Sequence, residues 1–167
     1  MLESIRKAAV SATLNIFETM YFTFLETMDG NGTLMEAVAE QEKQSDRLPE
    51  VQSPWVVKSE IHFIGQYSGL LRLCLPYDLS RTLTLNFMGY EDEVSESQIL
   101  DMAGEMTNMI CGNLFSSLDK TSVYLLSSPV SQKISLPERS KRIDSSEINL
   151  GFLTEGQLVT IDIQLNL

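Results

Sequence analysis

The chain has 167 residues, enough for one domain whose core needs no disulfide or metal staple. Hydrophobic residues make up 43% and charged residues 21%, a balance that excludes a disordered chain. With 23 acidic against 12 basic residues and a net charge of −11, the sequence argues against nucleic-acid binding, which rests on Lys and Arg neutralising phosphates. A single domain over 1–167 is expected.

The first 28 residues read as one amphipathic helix. Val10, Leu14, Phe17, Tyr21, Phe24 and Met28 recur at steps of three and four. Arg6 and Lys7 before an apolar run mimic a signal peptide, but the helical pattern continues through Glu18 without a cleavage site, so helix is the reading. "DGNG" ends it, and 29–54 is polar and acidic, with a short helix expected within "LMEAVAEQEKQ". Asp29, Asn31, Thr33 and Glu40 fall at calcium-loop positions, but Leu34 stands where that loop requires glycine, which argues against calcium.

Two strands follow, "VVKSEIHFIG" and "GLLRLCLP", joined by "QYS". The lone histidine, His62, lies in the first and reads as packed. Leu79, Leu83 and Phe87 mark a short helix with Asp78 as N-cap and Gly89 at its end. Ser95 and Gln98 have capping-box spacing, so the central helix runs from Glu96 to Leu118. "SVYLL" reads as a strand broken at Pro129, and Ser131–Arg142 as a polar, basic loop with a short strand at its start. "SEINLGFL" and "QLVTIDIQLNL" form a hairpin turned at Glu155 and Gly156. Strict alternation in the last strand predicts an antiparallel strand with one wet face. Cys74 and Cys111 lie in apolar settings without metal-ligand spacing, and read as buried free thiols of a cytoplasmic protein. No stretch reaches the roughly 18 uninterrupted apolar residues of a membrane span. The order of elements predicts an α+β fold, a mostly antiparallel sheet with helices packed on one face.

The central helix carries the distinctive pattern, "DMAGEMTNMICGN". At about 100° per residue, Glu105, Asn108 and Gly112 fall within about 40° of Asp101. Ile99, Ala103, Met106 and Ile110 gather at the opposite pole. Gly112 on the polar line, and Gly104 just off it, each weaken a helix by about 1 kcal/mol relative to Ala. Plain solvated surface has no use for such glycines, and close approach of another body explains them. The D-x3-E-x2-N spacing alone arises by chance in roughly one sequence in fifty of this length, so it decides nothing by itself.

The wider pattern is more specific. Asp101, Glu105 and Asn108 are followed by twenty residues and then Pro129, and Asn108 is trailed by Gly112-Asn113. This resembles the CheC, CheX and FliY chemotaxis phosphatases, whose element order also agrees over most of the chain. The first helix offers only Leu14, Glu18 and Tyr21 at the equivalent acid, acid and amide positions. One intact line beside one degenerate helix is similar to the CheX-like branch. The resemblance implies a CheC-like fold with two long helices on one face. It implies dephosphorylation of a phosphorylated CheY-like response regulator, with Glu105 and Asn108 catalytic: Asn108 orients water and Glu105 pairs with the regulator's lysine. It also implies Asp101, Gly112 and Gly104 at the partner contact, a structural Pro129, and possible homodimerisation through the sheet at the "QLVTIDIQLNL" edge. No cofactor is expected in this chain, Mg²⁺ being carried by the regulator. The alternative is a non-enzymatic adaptor that binds a response regulator or flagellar-switch component. A third reading is a structural dimerisation module.

Overall fold

The computed structural model describes residues 1–28, 36, 37, 39, 40, 54–89, 93–136, 138 and 148–166. Among the described residues, three long helices cover one face of a seven-stranded, wholly antiparallel sheet. The helices are α1 (Leu2–Tyr21), α2 (Tyr77–Met88) and α3 (Glu96–Leu118). The strands are β1 (Glu26–Thr27), β2 (Trp55–Ile64), β3 (Gly69–Pro76), β4 (Leu125–Leu126), β5 (Val130–Ser135), β6 (Ile148–Thr154) and β7 (Gln157–Leu165). The α+β expectation holds. The short helix within "LMEAVAEQEKQ" is represented by helical Glu36, Ala37, Ala39 and Glu40, whereas Asp29, Asn31 and Thr33 lie outside the described residues.

The helix-facing side of the sheet is apolar. Val57, Ile61 and Phe63 of β2, Leu71, Leu73 and Leu75 of β3, and Val159, Ile161 and Ile163 of β7 meet Ala9, Ala12 and Phe17 of α1 and Met106, Ile110 and Leu114 of α3. All are fully or almost fully buried. This main core fixes α3 against β2 and β3 on one side and α1 on the other.

Several expectations are corrected. The first helix stops at Tyr21, where Phe22 takes a left-handed φ of 53° and Thr23 N–H donates to the Phe17 carbonyl at 3.0 Å. Helical spacing continues in the sequence beyond this point, but Glu26 and Thr27 pair with Leu153 and Phe152 of β6 instead, and Phe24 is exposed. The N-cap of α2 is Pro76, and Asp78 lies in the first turn, where a carboxylate favours the helix dipole. His62 is exposed rather than packed, because it points to the sheet face away from the helices. The last strand, finally, is no free edge: β7 lies between β3 and β6. That removes the edge on which sheet-to-sheet pairing was expected.

Nor is the second face of β7 wet. Thr160 and Asp162 are buried, together with Lys58 and Arg72. Register places Glu60 opposite Arg72, and Arg72 opposite Asp162, so charge crosses three strands in one row. Arg72 donates to Glu60 Oε1 at 2.7 Å, and the Lys58 ammonium stands 3.5 Å from the same oxygen. Burial pushes the Glu60 carboxyl up, but the hydrogen bond and charge of Arg72, with Lys58, outweigh it and hold the group below its usual range.

Beside α3 the sheet carries a β-bulge. Phe63 opposes Leu126 and Glu60 opposes Val130, so the partner strand of β2 takes one more residue than β2 does. The extra residue falls within Ser127–Pro129. Ser127 is held from both sides, its hydroxyl accepting from His62 N–H at 3.0 Å and its own N–H donating to the His62 carbonyl at 2.9 Å. Proline, which cannot donate to a ladder, is suited to a bulge. "SVYLL" therefore contributes only Leu125–Leu126 as strand, and β5 is the short strand expected at the start of the basic segment, whose residues 137 and 139–142 lie outside the described ones.

Candidate functional site

α3 is a strongly specified helix. Ser95 accepts from Gln98 N–H at 3.1 Å, and the Gln98 side chain accepts from Ser95 N–H at 2.9 Å. This capping box satisfies two end donors and sets the start of the helix where the sequence placed it. A second clamp acts on the same turn. The Lys133 ammonium of β5 lies 3.3 Å from Glu96, 4.4 Å from the Tyr77 ring centre and 5.3 Å from that of Trp55. At the far end Phe115 stacks on Tyr124 at 4.1 Å and tilts against Phe63 at 4.6 Å.

Held in this way, α3 presents Asp101 and Glu105 exposed and Asn108 and Gly112 half-buried, along one line. Ile99, Ala103, Met106 and Ile110 are buried at the opposite pole, as the angular reading requires. The line does not crown an open surface, however. Gly104, Cys111 and Phe115, on its flank, are buried, so it runs along the border between core and solvent.

The two glycines differ. A Cβ at Gly104 would lie 3.3 Å from Pro129 Cγ and 3.4 Å from Ser131 Oγ, so its smallness is used by the chain's own bulge. Gly104, expected at the partner contact, thus also packs against the chain's own bulge. At Gly112 a Cβ would meet nothing within 4 Å. The space in front of it is open, and an approaching body can use it.

Depressions lie at both ends of the line. One, of about 510 Å³, is lined by Glu96, Ser97, Leu100, Asp101, Gly104, Glu105, Pro129 and Ser131. The other, of about 410 Å³, has Gly112, Ser116, Asp119, Lys120 and Tyr124 on its wall. Hydrogen bonds from Ser122 and Thr121 hold the Asp119 carboxyl down to about 2, so it is an anion throughout the neutral range. Ser97 and Ser131 were not picked out from the sequence. Ser97 lies one turn before Asp101, and extending the line backwards would have found it. Ser131 reaches the site through the sheet, its hydroxyl donating to Ser59 Oγ at 2.9 Å, and nothing local signals that.

Glu105 also touches the interior electrostatically. Tyr21, at the end of α1, is fully buried, and burial, with the Glu105 charge added, raises its hydroxyl well above the usual phenol range. Among the described residues no group of three or more His, Cys, Asp or Glu is placed to hold a metal ion, and no helix is long and apolar enough to cross a membrane. Cys74 and Cys111 are free and buried, the Cys111 thiol pushed up to about 12 by burial.

The line thus offers two carboxylates, Asp101 and Glu105, and one carboxamide, Asn108, at successive turns of a well-anchored helix, with a proline bulge at its side. Comparison with known proteins supplies the family. The family model for the chemotaxis phosphatase CheX matches residues 57–145, more than half of the chain, and includes the whole line and Pro129. The chain belongs to the CheX family. Solved CheX structures share its fold. CheX from Vibrio vulnificus superposes with a TM-score of 0.68 at 16% identity, over 97% of this chain and 96% of that one. CheX from Desulfovibrio desulfuricans gives 0.65 at 18% identity, over 97% and 99%. The CheX–CheY–BeF3–Mg²⁺ complex from Borrelia burgdorferi gives 0.62 at 13% identity, over 96% and 97%. No curated protein matches by sequence.

Proposed function

We propose that this chain removes the phosphoryl group from the aspartyl phosphate of a CheY-like response regulator, with Glu105 and Asn108 of α3 entering the regulator's active site. The observation that carries this reading is the placement of these two residues one turn apart on a single accessible line, with open space in front of Gly112. Membership of a family of chemotaxis phosphatases supports the activity, and the Borrelia complex, of the same fold, supports the class of partner.

The chemistry needs little from this chain. Water oxygen attacks phosphorus in line, the bond from phosphorus to the aspartyl oxygen breaks, and inorganic phosphate leaves behind a free carboxylate. The transition state is loose, so positioning and charge compensation dominate. Mg²⁺ is expected on the regulator, where it would offset charge on the transferring group. The Asn108 carboxamide both donates and accepts, so it can hold the attacking water without adding negative charge beside the phosphate. Glu105 is acceptor-only when ionised and suits a lysine on the regulator. Asp101, one turn back and exposed, meets the rim of the partner.

The test is phosphate release from a phosphorylated regulator with Mg²⁺. Addition of the protein is expected to accelerate release, and the double variant Glu105→Ala, Asn108→Ala is expected to abolish the acceleration. Binding of the regulator with no acceleration by the wild-type chain would replace the phosphatase by the adaptor reading.

A further inference from the structure

The polar line of α3 continues past Gly112. At about 100° per residue, the path from Asp101 to Asp119 completes about five full turns, so Asp119 returns to the direction of Glu105 and Asn108. Asp119 is the C-cap of α3. An anion is poorly placed there, because the helix dipole is negative at this end, and the last turn holds no basic residue. Yet the chain fixes it as an anion. The Ser122 hydroxyl donates to Oδ2 at 2.6 Å, and the Thr121 hydroxyl and N–H donate to Oδ1 at 2.7 and 2.8 Å. The turn needs only an acceptor here, which a neutral asparagine also provides. The charge is therefore surplus to the turn. A carboxylate has about four acceptor sites, so Oδ2 keeps one for an outside donor. Its neighbour Lys120 is exposed and forms no ion pair with it, nor does any other described residue.

The surroundings say what that donor is. Asp119 stands on the wall of the depression of about 410 Å³, beside Phe115, Tyr124 and Leu126. Phe115 and Tyr124 stack at 4.1 Å, which makes the apolar wall firm. An apolar wall with one fixed anion at its rim suits a lysine or arginine, whose stem packs while its charged end stays at the edge. The depression opens beside Gly112, where nothing stands in the way of an approaching body. The 23 residues of α3 span about 34 Å, roughly the diameter of a small domain, and Asn108 lies near their middle. A domain docked on Asn108 therefore covers this end of the helix too.

We propose that this depression is a second docking point for the regulator, in which Asp119 receives a lysine or arginine lying about 16 Å from the phosphoryl group. The inference rests on the reading of Glu105 and Asn108 as the residues that enter the regulator's active site. Eleven residues of helix separate Asp119 from Asn108, about 16 Å along the axis, so Asp119 touches none of the reacting atoms. Its part is in docking. Water screens the carboxylate in the free protein, and the regulator replaces that water with a cation.

The test is Asp119→Asn in the full chain, which keeps an acceptor for Thr121 and removes the charge. With phosphorylated regulator and Mg²⁺ at low salt, KM is expected to rise about fivefold, with a smaller change in kcat. The rise is expected to shrink below about twofold at about 0.5 M NaCl, where screening removes the attraction between exposed charges. On the regulator, each lysine and arginine within about 20 Å of the phosphorylated aspartate is changed to glutamate in turn, a radius that takes in the expected interval. One of these changes is expected to raise KM for the wild-type chain and to raise it much less for Asp119→Asn. An unchanged KM in Asp119→Asn overturns the inference and leaves the phosphatase reading standing. So does a rise that is equal at both salt concentrations, which marks a structural effect of the turn, or a scan in which no basic residue couples to Asp119. A wild-type chain that binds the regulator without accelerating release overturns the phosphatase reading alone, and the same outcomes are then read from Kd. A wild-type chain that neither binds nor dephosphorylates the regulator overturns both.

Discussion

Gly104 of α3 faces Pro129 of the bulge so closely that a Cβ on the glycine would come within 3.3 Å of the proline ring. Gly112, two turns further on, faces nothing within 4 Å. Two glycines on one helix should therefore respond in opposite ways. Gly104→Val is expected to push the bulge from α3 and destabilise the fold by about 1–3 kcal/mol, the range for overpacking. Gly112→Ala is expected to stabilise it by up to about 1 kcal/mol through helix propensity. On the proposed function, Gly112→Ala would also weaken regulator docking. Chemical denaturation measures the first pair of effects and KM the last.

Asn108 and Glu105 should separate kinetically. Water orientation matters only as the phosphoryl group moves, so Asn108→Ala is expected to lower kcat by about a hundredfold or more with little change in KM. Pairing with a lysine acts from the moment of docking. Glu105→Ala is therefore expected to raise KM about tenfold, the scale of a charge-assisted hydrogen bond. Steady-state kinetics across regulator concentrations distinguishes the two.

The capping box gives a third expectation. Ser95→Ala leaves Gln98 N–H without its acceptor and should cost about 1 kcal/mol, or about 2–4 °C in melting temperature for a chain of this size. The line begins inside the first two turns, beyond the frayed end, so kcat is expected to hold. Thermal unfolding followed beside the phosphatase assay checks both.

The charged row across the sheet predicts acid sensitivity. Glu60 titrates below its ordinary value of 4.5 in the folded chain. A lowered carboxyl pKa adds stability above the unfolded value, and that stability is lost as pH falls through the folded one. Arg72→Met removes the closest partner of Glu60 and is expected to cost about 2 kcal/mol near pH 7, less than a fully stripped buried pair because Lys58 remains. The gap to wild type should narrow as pH falls through the lowered Glu60 value, where the carboxyl becomes protonated in both chains. Urea denaturation at neutral and at acid pH reads this directly.

Local signals were read well from the sequence. Ser95 and Gln98 announced the start of α3, Gly89 the end of α2, and Glu155 and Gly156 the last hairpin, where both take positive φ. Each acts over a few residues, so each is visible in a few residues. The polar line was equally legible, because helical geometry maps spacing onto direction. What escaped depends on distant partners. Phe24 and Met28 keep helical spacing, but Glu26 and Thr27 between them are drawn to β6, more than a hundred residues away. The polar alternation of β7 looked like a solvated face because nothing in its own residues reveals that Arg72 and Lys58 share that face and are buried with it. The packing of Gly104 against Pro129 went unseen because the bulge lies on another strand.

The rigidity of α3 has one more consequence. Capped at its start, clamped by Lys133 and stacked at its end, the helix cannot stretch or turn to suit a target. Three residues of α-helix set Glu105 and Asn108 about 4.5 Å apart along the axis. That interval is a fixed gauge. On the proposed function, a regulator whose lysine and phosphoryl group are spaced to match would engage both residues in one step, and one with a different interval would meet one of the pair but not both.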